Sequence, residues 1–182
     1  MIFGKRIRLR KIERLDLPQF VEWLNDPEVR RGLGAYLPLS MAEEERWFEK
    51  MLEGSPEEHP LAIEIREGDG WRLIGSTSFF DIHRRSRHAE FGIVIGDKSI
   101  WNQGYGTEAA GLMLDHGFGT LNLHRIYLRV FSNNPRAMRA YEKAGYKFEG
   151  TLREAEYRDG EYISDHIMSV LKQEWEARKN TP

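Results

Sequence analysis

Cysteine is absent from all 182 residues. That removes disulfides, thiolate metal sites and any acyl-enzyme carried on sulfur. No apolar run approaches the length of a bilayer-spanning helix, and the opening MIFGKRIRLRK alternates apolar with basic residues where a signal peptide would be continuously apolar. A cytoplasmic protein without a membrane partner is the expectation. Charge of one sign is missing too: 27 Lys and Arg stand against 29 Asp and Glu, a formal net charge of −2. With no global field to gather polyanions, nucleic acid is not an expected partner. No linker, repeat or low-complexity tract interrupts the chain, whose length suits one well-buried core, so a single domain over residues 1–182 is expected.

What is present alternates between helical and strand patterns. Ile7 and Leu9 sit between basic residues as a short strand. Asp16 and Pro18 open a helix whose Leu17, Phe20, Val21 and Leu24 share a face. Ser40 and Glu43 have capping-box spacing ahead of a second helix, with Trp47, Phe48 and Met51 on one side. Leu61, Ile63 and Ile65 alternate with polar residues, and WRLIGSTSFFDI and HAEFGIVI add two strands joined by the polar turn HRRSR. A helix follows with Ala110, Met113, Leu114 and Phe118 on one side and Glu108 and Asp115 on the other. HRIYLRVF is a half-buried strand. Asn134 and Pro135 then cap a helix carrying Ala137, Tyr141 and Ala144, which Gly145 ends. A closing hairpin turns at Asp159-Gly160. The order predicts an α/β domain with one mixed sheet.

The stretch SIWNQGYGTEAAG places Gly104 and Gly106 where that third helix begins, a costly position for glycine unless something must approach the backbone. A helix start offers unpaired N–H groups at the positive end of its dipole, and glycine clears the way for an anion such as a phosphate. The Lys-Ser/Thr of a P-loop and the G-x-G-x-x-G spacing of dinucleotide folds are both missing, so ATP and NAD lose support. A tight turn with close packing explains the glycines equally well on spacing alone. His83 and His88, with Arg84, Arg85 and Arg87 between them, match no metal-ligand spacing and read as a solvated turn, so no metal is expected.

Paired with SNNPRAMRAYEKAGYKFEG across one strand, the glycine turn resembles the GNAT N-acetyltransferase superfamily, and the likeness extends from RIRLRKIERLDLPQFVEWLNDPEV to YRDGEYISDHIMSVL. It is most similar to the branch of ribosomal-protein N-terminal acetyltransferases and spermidine acetyltransferase. The resemblance implies a mostly antiparallel central sheet flanked by about four helices, with acetyl-CoA as cosubstrate and an amine as acceptor. A peptide N-terminus, a polyamine and another small amine remain open, as does a homodimer. Trp101 stands where the superfamily's loop usually starts with Gln or Arg, as in the ribosomal-type branch, and the chain carries an extra residue between Glu90 and Trp101.

By resemblance, Asn102, Gln103, Gly104, Tyr105, Gly106 and Thr107 would meet the CoA pyrophosphate, and Asn134 would contact CoA. Ile93, Val94 and Ile95 would lie along the thioester arm, with the backbone donor to the carbonyl open among Val94, Ile95 and Gly96. Tyr141, seven residues after Asn134, takes the place of the acid that protonates the departing thiolate. On spacing alone it is equally a core aromatic. Glu90, a carboxylate within an apolar strand, is the candidate base, against the readings that it is salt-bridged on the surface or that water relays the proton out. Tyr36, Glu154 and Tyr157 would line the acceptor side, with aromatic faces and a carboxylate suited to a cation. Two other readings compete: an acyl-CoA-binding sensor without transfer, and an interaction domain whose glycines are structural.

Overall fold

A computed structural model describes residues 1–180. The chain runs β1 (Ile2–Phe3), β2 (Ile7–Lys11), α1 (Leu17–Asn25), α2 (Pro27–Arg30), α3 (Met41–Glu53), β3 (Leu61–Glu67), β4 (Gly70–His83), β5 (His88–Ile95), α4 (Tyr105–Asp115), β6 (Arg125–Phe131), α5 (Pro135–Ala144), β7 (Lys147–Arg158), β8 (Glu161–Leu171) and α6 (Lys172–Lys179). All eight strands form one sheet in the order β1-β2-β3-β4-β5-β6-β8-β7. Every neighbouring pair is antiparallel except β5 and β6, which the α4 crossover makes parallel. The four expected helices are α1, α3, α4 and α5; the short α2 and the terminal α6 add to them.

Two cores lie on opposite faces of the sheet. Phe79, Phe91, Met113, Phe118, Ile126, Leu128 and Met168 fill the space under α4 and α5, while Leu17, Phe20, Trp23, Val29 and Phe48 pack on the other face under α1 and α3. Strand alternation assigns each β5 side chain to one of them. Phe91, Ile93 and Ile95 join the α4/α5 core, and Val94 joins the α1/α3 core. Glu90 and Gly92, in step with Val94, therefore face α1 and α3.

Local chemistry explains most helix ends. The Ser40 side chain accepts from Glu43 N–H at 3.2 Å, and the Glu43 carboxylate takes Ser40 N–H at 2.9 Å, the reciprocal pair read from the sequence. Asp16 precedes α1 as expected, yet its carboxylate does not cap that helix. It closes a 3₁₀ turn by accepting from Glu13 N–H at 2.8 Å and binds both terminal nitrogens of Arg10. Two expectations need correction. Trp47 is 38% exposed, because the buried stripe of α3 runs through Glu44 and Phe48 to Met51. The third helix does not carry Phe118 as regular α-helix: α4 ends at Asp115 and widens into a π-turn over His116–Thr120, which seats Gly117 against Ile126 and Phe79.

Candidate active site

The parallel contact between β5 and β6 lasts only three residues, from His88↔Arg125 to Glu90↔Tyr127. Beyond it β5 stays with β4 as far as Ile95, and β6 stays with β8 as far as Phe131. Each strand keeps its antiparallel partner, so the sheet splits between them. The cleft that opens, about 490 Å³, is lined by Ile93, Val94 and Ile95 on one wall, by Asn134, Ala137, Ala140 and Tyr141 on the other, and by the glycine turn at one end. Gly96 N–H is committed to Ile74 O at 2.9 Å, which removes Gly96 from the three backbone donors left open above. Ile95 turns its carbonyl to the indole Nε1–H of Trp101, a cleft residue, at 2.8 Å.

At the glycine turn, Asn102 (φ +63) and Gly104 (φ +85) both adopt left-handed backbone. Gly104 is the N-cap of α4 and supplies no side chain to cap it. The first intrahelical bond of α4 is Glu108 N–H to Gly104 O at 3.0 Å, so the amides of Tyr105, Gly106 and Thr107 have no helical acceptor. The two glycines differ. Gly104 is required by its φ, whereas a Cβ on Gly106 would meet only Ile95 Cγ1 at 3.8 Å, ordinary contact. Nothing in the protein itself demands glycine at 106, and the space it leaves belongs to the cleft. An anion held by three free amides at a helix N-terminus fits that geometry.

Arg6 braces this turn from outside. Its Nη1 donates to Gln103 O at 3.0 Å, its Nε to Glu108 at 2.9 Å, and its guanidinium lies 4.4 Å over the Tyr105 ring. Desolvation works against the Glu108 carboxylate, but hydrogen bonds from the Arg6 backbone and side chain hold its pKa below the usual range. Gln103, expected in the site, uses its amide on Ser99 O at 3.1 Å and does not line the cleft. Asn102, Gly104, Tyr105, Gly106 and Thr107 do.

Asn134 caps α5 by accepting from Ala137 N–H at 3.2 Å, which leaves its amide nitrogen beside Gly32 in the cleft. Seven residues on, Tyr141 packs edge-on to Phe91 at 6.2 Å and against Tyr146 at 5.8 Å. Burial pushes its phenol up to about 12. Glu90 does not share that wall. It projects to the α1/α3 face, where Arg129 Nε pairs with it at 3.1 Å and the Tyr127 hydroxyl interacts with it. Tyr141 and Glu90 therefore flank the start of the split from opposite faces of the sheet.

A sequence profile described as the acetyltransferase (GNAT) domain matches residues 6–147. The chain belongs to the GNAT acetyltransferase family. Spermidine N(1)-acetyltransferase of Vibrio cholerae is 30% identical, over 94% of this chain and 96% of its own, and that of Escherichia coli K12 is 29% identical over 97% and 91%. The crystal structure of the V. cholerae spermidine N-acetyltransferase in complex with CoA and spermine superposes with a TM-score of 0.86 at 28% identity, covering 94% of this chain and 99% of that one. The protein is accordingly a GNAT N-acetyltransferase, with acetyl-CoA as cosubstrate and an amine as acceptor.

Sequence reasoning passed over several residues that the GNAT enzyme brings to the cleft. Arg136, Arg139 and Lys143 line it from one face of α5, and Arg136 stacks 3.6 Å over Trp101. Their i, i+3, i+7 spacing was the available signal, but an exposed helix face has the same pattern. Of the expected acceptor residues, Tyr36 is exposed on loop 31–40 and Glu154 sits at φ +52 in a bulge of β7. Tyr157 packs against Tyr162 at 5.1 Å, in register with it, on the face of the hairpin away from Arg158. Arg158 instead reaches the loop, donating to Ala35 O at 3.4 Å. His83 and His88 stack in parallel 5.0 Å apart, and the described residues contain no group of acids and histidines able to hold a metal. No helix among the described residues is long and apolar enough to cross a membrane.

Proposed function

We propose that the chain is one catalytic domain that acetylates an aliphatic amine in the cytoplasm. Acetyl-CoA lies in the β5/β6 cleft with its pyrophosphate on the free amides of Tyr105, Gly106 and Thr107, and with Asn134 alongside. The observation that carries this reading is the split of β5 from β6 directly beside an uncapped helix start. Arg136, Arg139 and Lys143 add positive charge for the phosphates. The acceptor enters from the α1/α3 face, toward which Glu90 points and over which loop 31–40 lies.

An aliphatic ammonium has a reference pKa of about 10.4, so a base must take its proton before the nitrogen can attack. Glu90 fills that role at the point where the two strands part. Arg129 fixes the orientation of its carboxylate. As the C–N bond forms, the carbonyl oxygen gains charge and is met by the Ile95 N–H of β5, which like the Ile95 carbonyl faces away from β4, whereas Val94 shares the side of Gly96. The C–S bond then breaks, and Tyr141 gives its phenolic proton to the thiolate. A phenol with its pKa pushed up to about 12 stays protonated at every pH the enzyme meets. The same dry surroundings raise the thiol's pKa, which keeps the proton transfer feasible.

The spermidine-acetylating relatives support a polyamine acceptor. The test is thiol release from acetyl-CoA with polyamines, monoamines, amino acids, aminosugars and short peptides. Turnover restricted to peptides would refute the small-amine reading. CoA binding without thiol release on any acceptor would favour a sensor instead. Sedimentation tests a homodimer, for which the edge strand β7 offers a surface.

A further inference from the structure

On the α1/α3 face, β8 presents Ile163 and Ile167 with an acid between them, Asp165. Asp165 is only 2% exposed, yet its Oδ1 has no hydrogen-bond partner among the described residues. Register sets it beside Phe131 of β6 and Leu152 of β7. A buried carboxylate oxygen without a donor is costly, so a fold keeps one where a partner arrives from outside. Arg158, in register with Glu161 and so on the same face, lies with its guanidinium 4.8 Å over the Phe131 ring. Among the described residues its Nε is also buried and unpartnered, and its one hydrogen bond is the 3.4 Å contact to Ala35 O. An acid and a base thus share the Phe131 platform, each with an unused polar atom, and no salt bridge joins them.

The surrounding charge is negative. Glu156 and Glu90 act on Asp165 from the same face, and Arg129, the other cation there, is already paired with Glu90 at 3.1 Å. Among the described residues Arg158 is held by one long hydrogen bond, a ring contact and an attraction to Asp165 that no salt bridge completes. A compact ammonium with three rotatable donors can reach a recessed carboxylate oxygen that a planar guanidinium tethered on β7 leaves unbonded. The face of Phe131 accepts either cation.

We propose that Asp165 and Phe131 form a cation subsite in which Arg158 rests, and that an acceptor bearing a second positive charge displaces Arg158 and binds there. This rests on the acceptor entering from the α1/α3 face, as proposed above. Glu90 stands opposite Tyr127 and Asp165 opposite Phe131, four positions further along β6. That separation is about 13 Å of strand, a span for an extended polyamine and beyond a monoamine. Because Arg158 also holds loop 31–40 through Ala35, its displacement frees that loop from the final hairpin.

The experiment compares kcat/KM for spermidine with kcat/KM for butylamine, measured by thiol release with the full chain. A ratio cancels any loss common to both amines. Asp165→Asn is expected to lower the ratio by about 10-fold or more, and Arg158→Ala to raise it by about 3-fold or more through KM for spermidine. Calorimetric binding of spermidine in the absence of acetyl-CoA should follow the same order, with Arg158→Ala tightest and Asp165→Asn weakest. If the parent chain released no thiol with any amine, the proposed function would fail while the binding order still decided the subsite. A ratio or binding order unchanged within about 2-fold in both variants overturns the proposal, as does a lower ratio for Arg158→Ala, which would make Arg158 part of the binding surface. Should Asp165→Asn fail to melt cooperatively, the sign of the Arg158→Ala effect decides alone, since a structural brace and a displaceable occupant predict opposite directions.

Discussion

Replacing Tyr141 by Phe isolates one oxygen. The ring keeps its edge-on contact with Phe91 at 6.2 Å and its packing on Tyr146 at 5.8 Å. Among the described residues no hydrogen bond of the Tyr141 hydroxyl holds the fold together, so the thermal midpoint should stay within about 2 °C of the parent and CoA affinity within about 2-fold. Turnover should fall by about 10²-fold or more, the contribution of a positioned general acid. The pH dependence is more discriminating. Burial moves the phenol from 10 to about 12, so ionising it in the folded protein costs about 3 kcal/mol more than in water. The neutral, proton-donating form is the active one and is lost only as pH rises through about 12. The parent kcat profile should therefore rise with deprotonation of the amine and show no falling limb up to about pH 10. The folded state also holds this proton more tightly than the unfolded one, so stability should decline as pH climbs from about 10 towards 12. Steady-state kinetics from pH 6 to 10 and a calorimetric melt test all of this. A Phe variant with parental turnover would refute the acid role. A parental falling limb near pH 8–9 that vanished in the variant would refute the burial argument while keeping the acid.

The two glycines should separate on substitution. Gly106→Val has room beside Ile95 and should melt near the parent while weakening CoA binding by about 10-fold or more in a calorimetric titration, whereas Gly104→Ala forces a side chain to φ +85 and should cost about 1–2 kcal/mol of stability; parental CoA affinity in folded Gly106→Val would remove the phosphate role. Glu90→Gln should lower turnover most near neutral pH, with partial recovery as alkali deprotonates the free amine, and an equal loss at every pH would point to acceptor positioning through Arg129 instead. The Arg125 guanidinium, helped by Ser169 and opposed by desolvation, holds the Glu149 carboxyl down to about 2. Its stabilising effect is therefore present above about pH 4.5 and lost as pH falls towards 2, so Glu149→Gln should flatten the decline of the urea midpoint across that window, and an unchanged slope would show that the pair contributes nothing.

Short-range spacing is where sequence was most informative. The Ser40–Glu43 capping box, the Asn134 cap and the Gly145 stop at φ +110 each depend on residues within one helical turn, so their chemistry shows in the chain order. The Asn134-to-Tyr141 interval and the glycines before α4 belong to the same class, and they carried the family resemblance. Periodicity shows which residues share a face but not what that face meets. Trp47 therefore shares the predicted stripe of α3 yet is exposed, and Arg136, Arg139 and Lys143 have the spacing of a solvated helix face yet line the cleft. Glu90 could be read as an odd carboxylate in an apolar strand; its pairing with Arg129, 39 residues away, could not. The same holds for Asp165, whose neighbours Phe131 and Leu152 are set by the order β6-β8-β7. The sequence by itself determined the elements, their caps and the glycine-lined helix start, because these are local. Only the tertiary structure decided where the sheet splits: β5 follows β4 and β6 follows β8, and a gap between two successive strands is a property of their other partners.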